Sequence, residues 1–289
     1  MSKLKPLAEL SPHPGRPSPF ALKMLRRWVR PITRLAFRPT LEGDEHLPKD
    51  RPFLLIANHS AGKGMAELLS FAALYPEQVG TEQPLAGYAL SAGFDIWPLS
   101  AVHKELGSVP STYKHAYEAL EQGVPLLIFP GGDHETLRPI WQVHTVDFNQ
   151  RKGFLKIARK ANVPIVPMGI RNGHWTAPVL LRSKLLTKFA VIPTLIGLKR
   201  WCISLLGVIG SIAIAFVPLS LWARILLIWF WLSTPLMLAP FIPASLYFRI
   251  GKPIEVDELF NPNLNEEQSL QQAYDKVVGS IQELVSREA

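Results

Sequence analysis

The chain has 289 residues, 48% of them hydrophobic, one cysteine and a formal net charge of +8. That length accommodates one large α/β domain or two small ones. A lone Cys202 excludes a disulfide framework and a cysteine-built metal site.

The charge excess is local. Residues 1–39 carry nine Lys and Arg against Glu9, so this arm holds all of it. Residues 1–19, rich in Pro and Ser, are expected to be poorly ordered, and they do not read as a secretory signal. From Phe20 to Arg38 basic residues alternate with Leu22, Leu25, Val29, Ile32 and Leu35 at helical spacing, and Pro31 interrupts the pattern. Such an arm suits either a headgroup surface or a domain face with a solvated basic side. The membrane reading is favoured, and nucleic acid is not expected as a partner.

"LEGDEHLPKD" reads as a polar turn region, and "RPFLLIAN" as a buried strand opening onto a loop. Met65–Tyr75 reads as a helix and "LAGYAL" as a second strand. "STYKHAYEALEQG" reads as a helix capped by Ser111 and closed at Gly123. "VPLLIFPGG" is a strong strand, "RKGFLKIARKAN" an amphipathic helix and "VPIVPMGI" another strand. "SLYFRIGKPI" reads as one more strand, and the chain closes on a long amphipathic helix. Alternating strands and helices with apolar strands predict an α/β fold, a mostly parallel mixed sheet flanked by helices.

Between Trp201 and Phe248 the only charged residue is Arg224. Either half of this tract is long enough to span a bilayer, but no polar turn separates two spans, and Pro218, Pro235, Pro240 and Pro243 interrupt it. The last strand must rejoin the sheet, so a single span is excluded on that premise. The expectation is an apolar, membrane-associated insertion, a shallow hairpin or re-entrant element, with Trp222, Trp229 and Trp231 at the interface. The expected organisation is a basic arm over 1–40, a core over 41–198, the insertion over 199–246, and the last strand and closing helix over 247–289.

"IANHSAGKGMAE" carries two signals. Ala57, Gly62 and Lys63 fall one residue short of a phosphate-binding loop, because Gly64 replaces the hydroxyl residue that would ligate magnesium. The other signal is His59, just past a strand end, as a base that takes a proton from a hydroxyl. Asp133, His134, Glu135 and His144 lack metal-ligand spacing, so no metal is expected.

"NHS" after a strand, "LGSVPST" before a helix, "LLIFPGGDHE" after a strand and "VPIVPM" after a helix occur in that order. Together they resemble the glycerolipid acyltransferase superfamily, over roughly Leu41 to Gly173. The resemblance implies transfer of a fatty acyl group from a thioester of coenzyme A or acyl carrier protein to a lipid hydroxyl, without a further cofactor. It implies His59 as general base with a carboxylate orienting its ring. The superfamily's spacing of four residues before the acid leads to Gly64, so the candidates for that acid are Glu67 and Asp95.

The common third motif, Phe-Pro-Glu-Gly-Thr-Arg, is replaced by Phe129-Pro130-Gly131-Gly132-Asp133-His134-Glu135. Pro-Gly-Gly resembles the branch with diacylglycerol- and wax-forming members. The missing Glu and Arg weaken the expectation of a phosphate-bearing acceptor, although Arg138, Arg151 or Lys152 could serve as a clamp. The resemblance also implies that Gly107, Ser108, Phe129, Pro130, Gly131 and Gly132 line the substrate pocket. The expected place is a membrane, the cytoplasmic face of the inner membrane if the source is bacterial. The rival readings are a non-catalytic acyl-lipid-binding relative with a degenerate site, and a lipase-like hydrolase. The second lacks a Gly-x-Ser-x-Gly turn.

Overall fold

The structure is a computed structural model describing residues 5–190, 193–194 and 200–288. Seven strands form one sheet in the order β1-β9-β6-β2-β5-β3-β4. Those strands are β1 (Thr40–Glu42), β2 (Leu54–Ala57), β3 (Ala86–Ala89), β4 (Val109–Pro110), β5 (Leu126–Ile128), β6 (Ile165–Arg171) and β9 (Tyr247–Ile250). All neighbours pair parallel except β6 with β9. Strands β2, β5 and β6 are buried along almost their whole length, as expected of parallel strands covered by helices on both faces. The mostly parallel mixed sheet is therefore present, with two short edge strands, β1 and β4, that the sequence reading missed.

The basic arm is helical from Pro19 to Phe37, but not uniformly. A π-helical turn, Leu25–Val29, joins the Pro19–Met24 and Arg30–Phe37 helices. It lies just ahead of Pro31, whose ring and missing N–H disturb the regular ladder at that place. The preceding residues 5–18 are not loose. Leu7 is buried, Gly15 N–H donates to Gly107 O (2.8 Å), and Leu85 N–H donates to Gly15 O (3.0 Å). Thr112, not Ser111, caps the Tyr113–Glu121 helix, its hydroxyl accepting from His115 N–H.

The apolar tract starts as a strand. Residues Trp201–Ser204 (β8) pair antiparallel with β7 (Val179–Ser183). The expected 198/199 boundary lies outside the described residues. Two helices follow, Leu205–Ala215 and Leu221–Ser233, packed as a hairpin. Trp231 Nε1 donates to Gly207 O (3.0 Å) across it, and Arg224 Nη1 donates to Ala215 O (2.8 Å) near its tip. Among the described residues no helix is long and apolar enough to cross a membrane. The hairpin returns beside the β2 loop. Ala61 and Leu137 share one buried cluster with Trp201, Met237 and Leu238.

Candidate active site

Strands β2 and β5 run parallel with Ile56 opposite Ile128, so their C-terminal ends open on the same edge of the sheet. That edge is where open α/β sheets place ligands. His59 and Gly131 follow on the two loops that leave this edge.

Asn58 fixes where the loop departs. Its side chain donates to Ile170 O (2.8 Å) and accepts from Ile170 N–H (2.7 Å), replacing the next rung of the β2–β6 ladder. His59 then leaves the sheet with its ring stacked on Phe129, the centroids 4.4 Å apart.

His59 Nδ1 hydrogen-bonds Glu67 Oε1. The same oxygen accepts from Ser60 N–H (3.0 Å). Glu67 is buried in the first turn of the Met65–Gln78 helix. Asp95, the other candidate, is exposed and pairs with Lys5 at 3.6 Å. The geometry therefore joins His59 to Glu67, with Nε2 left as the ring's proton acceptor.

Gly64 makes that pairing possible. Its φ of +70° suits glycine, and a Cβ there would overlap His59 Cε1 and lie 2.7 Å from Glu67 Oε1. The place where the resemblance puts an aspartate is filled by the His59–Glu67 pair itself.

A second carboxylate meets His59 from behind. Glu135 is fully buried, and its Oε2 accepts from His59 N–H (2.9 Å). Its Oε1 accepts from Asp147 N–H (3.2 Å) and from Arg138 Nη2 (3.3 Å). Burial pushes its carboxyl up to about 8, against the pull of Arg138 and the two backbone donors. His174 is also buried, and burial together with neighbouring Arg138 and His59 pushes its imidazole down to about 3.

His59 stands on the wall of a cavity of about 990 Å³. Most of the remaining wall is apolar, including Leu68, Phe71, Leu85, Leu127, Phe154 and Ile157. Ser108, Phe129, Pro130, Gly132 and Arg151 also line it.

Three expected pocket residues lie elsewhere. Gly107 packs on the N-terminal segment, where a Cβ would meet His13 O and the Arg16 backbone within 3 Å. Gly131 presents its carbonyl to Arg151 Nη1 (2.9 Å). Arg138 is buried on Glu135 rather than offered as a clamp. Arg151 reaches the cavity, but it also bonds Pro130 O (3.2 Å) and Asp133 (2.6 Å). Lys152 lies on a separate surface hollow beside Tyr113 and Lys156. His174 has no place in the sequence expectations, and Glu135 is expected only to border the site. The one sequence signal for Glu135 was its place in the third-motif loop.

Residues 38–171, a little under half of the chain, match the Acyltransferase family. Uncharacterised proteins of Mycobacterium tuberculosis and Mycobacterium bovis are 25% identical over 169 residues, 57% of this chain. This chain spans about half the length of those relatives, the match covering 47% of them. Phytyl ester synthase 2 of Arabidopsis thaliana is 27% identical over 81 residues, 28% of this chain and 12% of that protein. The 1-acyl-sn-glycerophosphate acyltransferase PlsC of Thermotoga maritima superposes with a TM-score of 0.51 at 18% identity. That superposition covers 93% of this chain and 82% of that one, so the two share a fold.

Proposed function

We propose that this protein, which carries an Acyltransferase-family segment over residues 38–171, transfers a fatty acyl group from an acyl thioester to a lipid hydroxyl. The observation that carries the reading is His59, its Nδ1 held by buried Glu67, on the wall of a large apolar cavity. In the proposed step Nε2 takes the hydroxyl proton as the acceptor oxygen attacks the thioester carbonyl. The C–S bond then breaks, and the departing thiolate recovers a proton from the imidazolium. Glu67 holds the ring in the tautomer that leaves Nε2 unprotonated and stabilises the charged ring once formed. No enzyme-bound acyl intermediate is required.

Two observations favour a neutral hydroxyl acceptor over a phosphate-bearing one. Arg138 is buried on Glu135, and Arg151 is engaged by Asp133 and two loop carbonyls. The local likeness to a protein named as an ester synthase points the same way.

The apolar hairpin supports seating at one leaflet of a membrane. Its helices have 11 and 13 residues, about 17 and 20 Å at 1.5 Å per residue, against a hydrocarbon core of about 30 Å. Phe216 is 84% and Trp222 75% exposed. A hairpin that enters and leaves on one side accounts for both its length and its apolar tip, and Arg224 beside the tip favours shallow insertion.

The test is to incubate the purified protein in lipid vesicles with acyl thioesters. Candidate acceptors are diacylglycerol, a long-chain alcohol or lysophosphatidate, with readout by thiol release and mass spectrometry of the lipids. The expected result is ester formed with the neutral acceptors and lost in His59→Ala. Absence of thiol release with every acceptor defeats the enzyme reading and leaves acyl-lipid binding. Release that survives His59→Ala defeats the mechanism.

A further inference from the structure

We propose that Glu135 is a positioning residue that fixes the backbone of His59, working from the volume that a side chain at Gly131 would otherwise fill. The inference rests on the acyl-transfer reading for its kinetic arm only.

His59 lies two residues beyond the last residue of β2, and its N–H points into the protein rather than into a strand partner. A buried N–H without an acceptor is strongly disfavoured. Glu135 supplies the acceptor across 76 residues of sequence. It is itself held at the other oxygen by Asp147 N–H and Arg138. His59 is thus gripped twice by carboxyl groups, at the ring by Glu67 and at the main chain by Glu135. A shift in either grip moves Nε2 relative to the cavity.

Gly131 shows how the carboxylate gets there. A Cβ at this position would overlap Glu135 Cγ, Cδ and Oε2. Gly131 is not among the glycines with positive φ, so no backbone requirement excludes a side chain there. The nearest atoms that such a Cβ would meet all belong to Glu135. Glu135 sits in the one-turn Asp133–Thr136 helix, four residues on, where a side chain leans back toward the helix N-terminus. Position 131 can therefore carry a side chain, or Glu135 can reach His59, but not both.

The relation between Gly64 and Glu67 has the same form. A Cβ at Gly64 would crowd Glu67 Oε1, and Glu67 comes from three residues further along the following helix. In both loops a glycine vacates a position and a carboxylate about one turn downstream occupies it. The two cases differ in backbone. Gly64 has φ +70°, so a residue other than glycine is strained there, whereas Gly131 is free of that constraint.

The difference makes the proposal testable by moving the carboxylate. Four variants are compared: Glu135→Ala, Glu135→Gln, Gly131→Glu, and Gly131→Glu combined with Glu135→Ala. Each is assayed for kcat and donor KM, and for hydrogen exchange at the His59 amide without substrate. Glu135→Ala is expected to lower kcat about hundredfold, the scale of a small misplacement of a reacting group. Donor KM should stay within about twofold and His59 amide exchange should accelerate. Glu135→Gln keeps an acceptor oxygen and is expected to retain kcat within tenfold. Gly131→Glu alone should be nearly inactive, and the double variant should recover at least tenfold over Glu135→Ala.

Should Glu135→Ala fail to fold, Glu135→Asp takes its place. It keeps a carboxyl group for Arg138 but withdraws it by about 1.5 Å, and the same loss of kcat is expected. Glu135→Ala or Glu135→Asp with unchanged His59 exchange and kcat within threefold overturns the positioning role. A double variant no better than Glu135→Ala overturns the shared volume. If no variant and no wild-type protein transfers acyl groups, the exchange measurement still decides whether Glu135 holds His59.

Discussion

Gly64→Ala separates backbone strain from crowding at the site. Gly64 has φ +70° and ψ 12°, in the left-handed region. Placing alanine there costs about 1–2 kcal/mol from the backbone alone. The new Cβ would also overlap His59 Cε1 and lie 2.7 Å from both His59 Nδ1 and Glu67 Oε1. Glu67 is buried and cannot retreat, so the ring must swing off its partner and lose its orientation. Crowding of this kind adds about 1–3 kcal/mol of destabilisation. Loss of the orienting contact is expected to lower kcat by at least about a hundredfold. Gly123→Ala is the internal control, because Gly123 has φ +75° with nothing within 4 Å of its Cβ position. It should lose the backbone term alone, with kcat unchanged. Urea unfolding gives the stability of each variant, and thiol release gives kcat. Equal losses of stability and equal kcat in the two variants would refute the claim that Gly64 exists to make room for the His59–Glu67 pair.

Three further outcomes follow from the same geometry. Asn58→Ala removes both bonds to Ile170 and leaves two buried backbone groups without partners, so urea unfolding should show a loss of about 2–4 kcal/mol; a loss under 1 kcal/mol would contradict the clamp. Stability should also depend on pH with two opposed slopes. The folded chain keeps a proton on Glu135 up to about pH 8, while the unfolded chain releases it near 4.5, so this contribution falls as pH rises across that window. The unfolded chain protonates His174 near 6.5 and the folded chain resists down to about 3, so this contribution falls as pH drops across that window. Thermal unfolding against pH should lose the alkaline slope in Glu135→Gln and the acid slope in His174→Gln; unchanged slopes would refute both assignments. Finally, Trp222→Asp with Leu226→Asp alters exposed hairpin positions and should cut co-sedimentation with phospholipid vesicles at least tenfold without changing the unfolding temperature, and undiminished binding would count against the hairpin as a membrane element.

The parts of the fold readable in the sequence are those where burial imposes a pattern. Strands β2, β5 and β6 have apolar side chains on both faces. Strand β1 escaped notice because only Leu41 of its three residues is buried, and β4 because it has two residues. The order of residues 5–18 was hidden for another reason. A Pro- and Ser-rich segment has no periodicity, and what fixes it is backbone pairing to Gly107 and Leu85, residues far along the chain. Composition along a segment carries no trace of a partner so distant.

The site divides along the same line. His59 is recognisable because it follows a strand whose end is marked by Asn58, and Glu67 because it is the next acid along. In sequence Arg138 is a candidate clamp, and only the position of Glu135 shows that its charge is already used. The identities at 64 and 131, read one at a time, suggest a site losing its acids. In three dimensions each glycine is the condition for an acid to arrive from the next turn of chain. What the two loops share is a carboxyl group placed against the histidine, and a helix offers about one turn of latitude in which residue supplies it. A missing motif residue is therefore evidence of lost chemistry only when no side chain three or four positions downstream can lean into the volume it left.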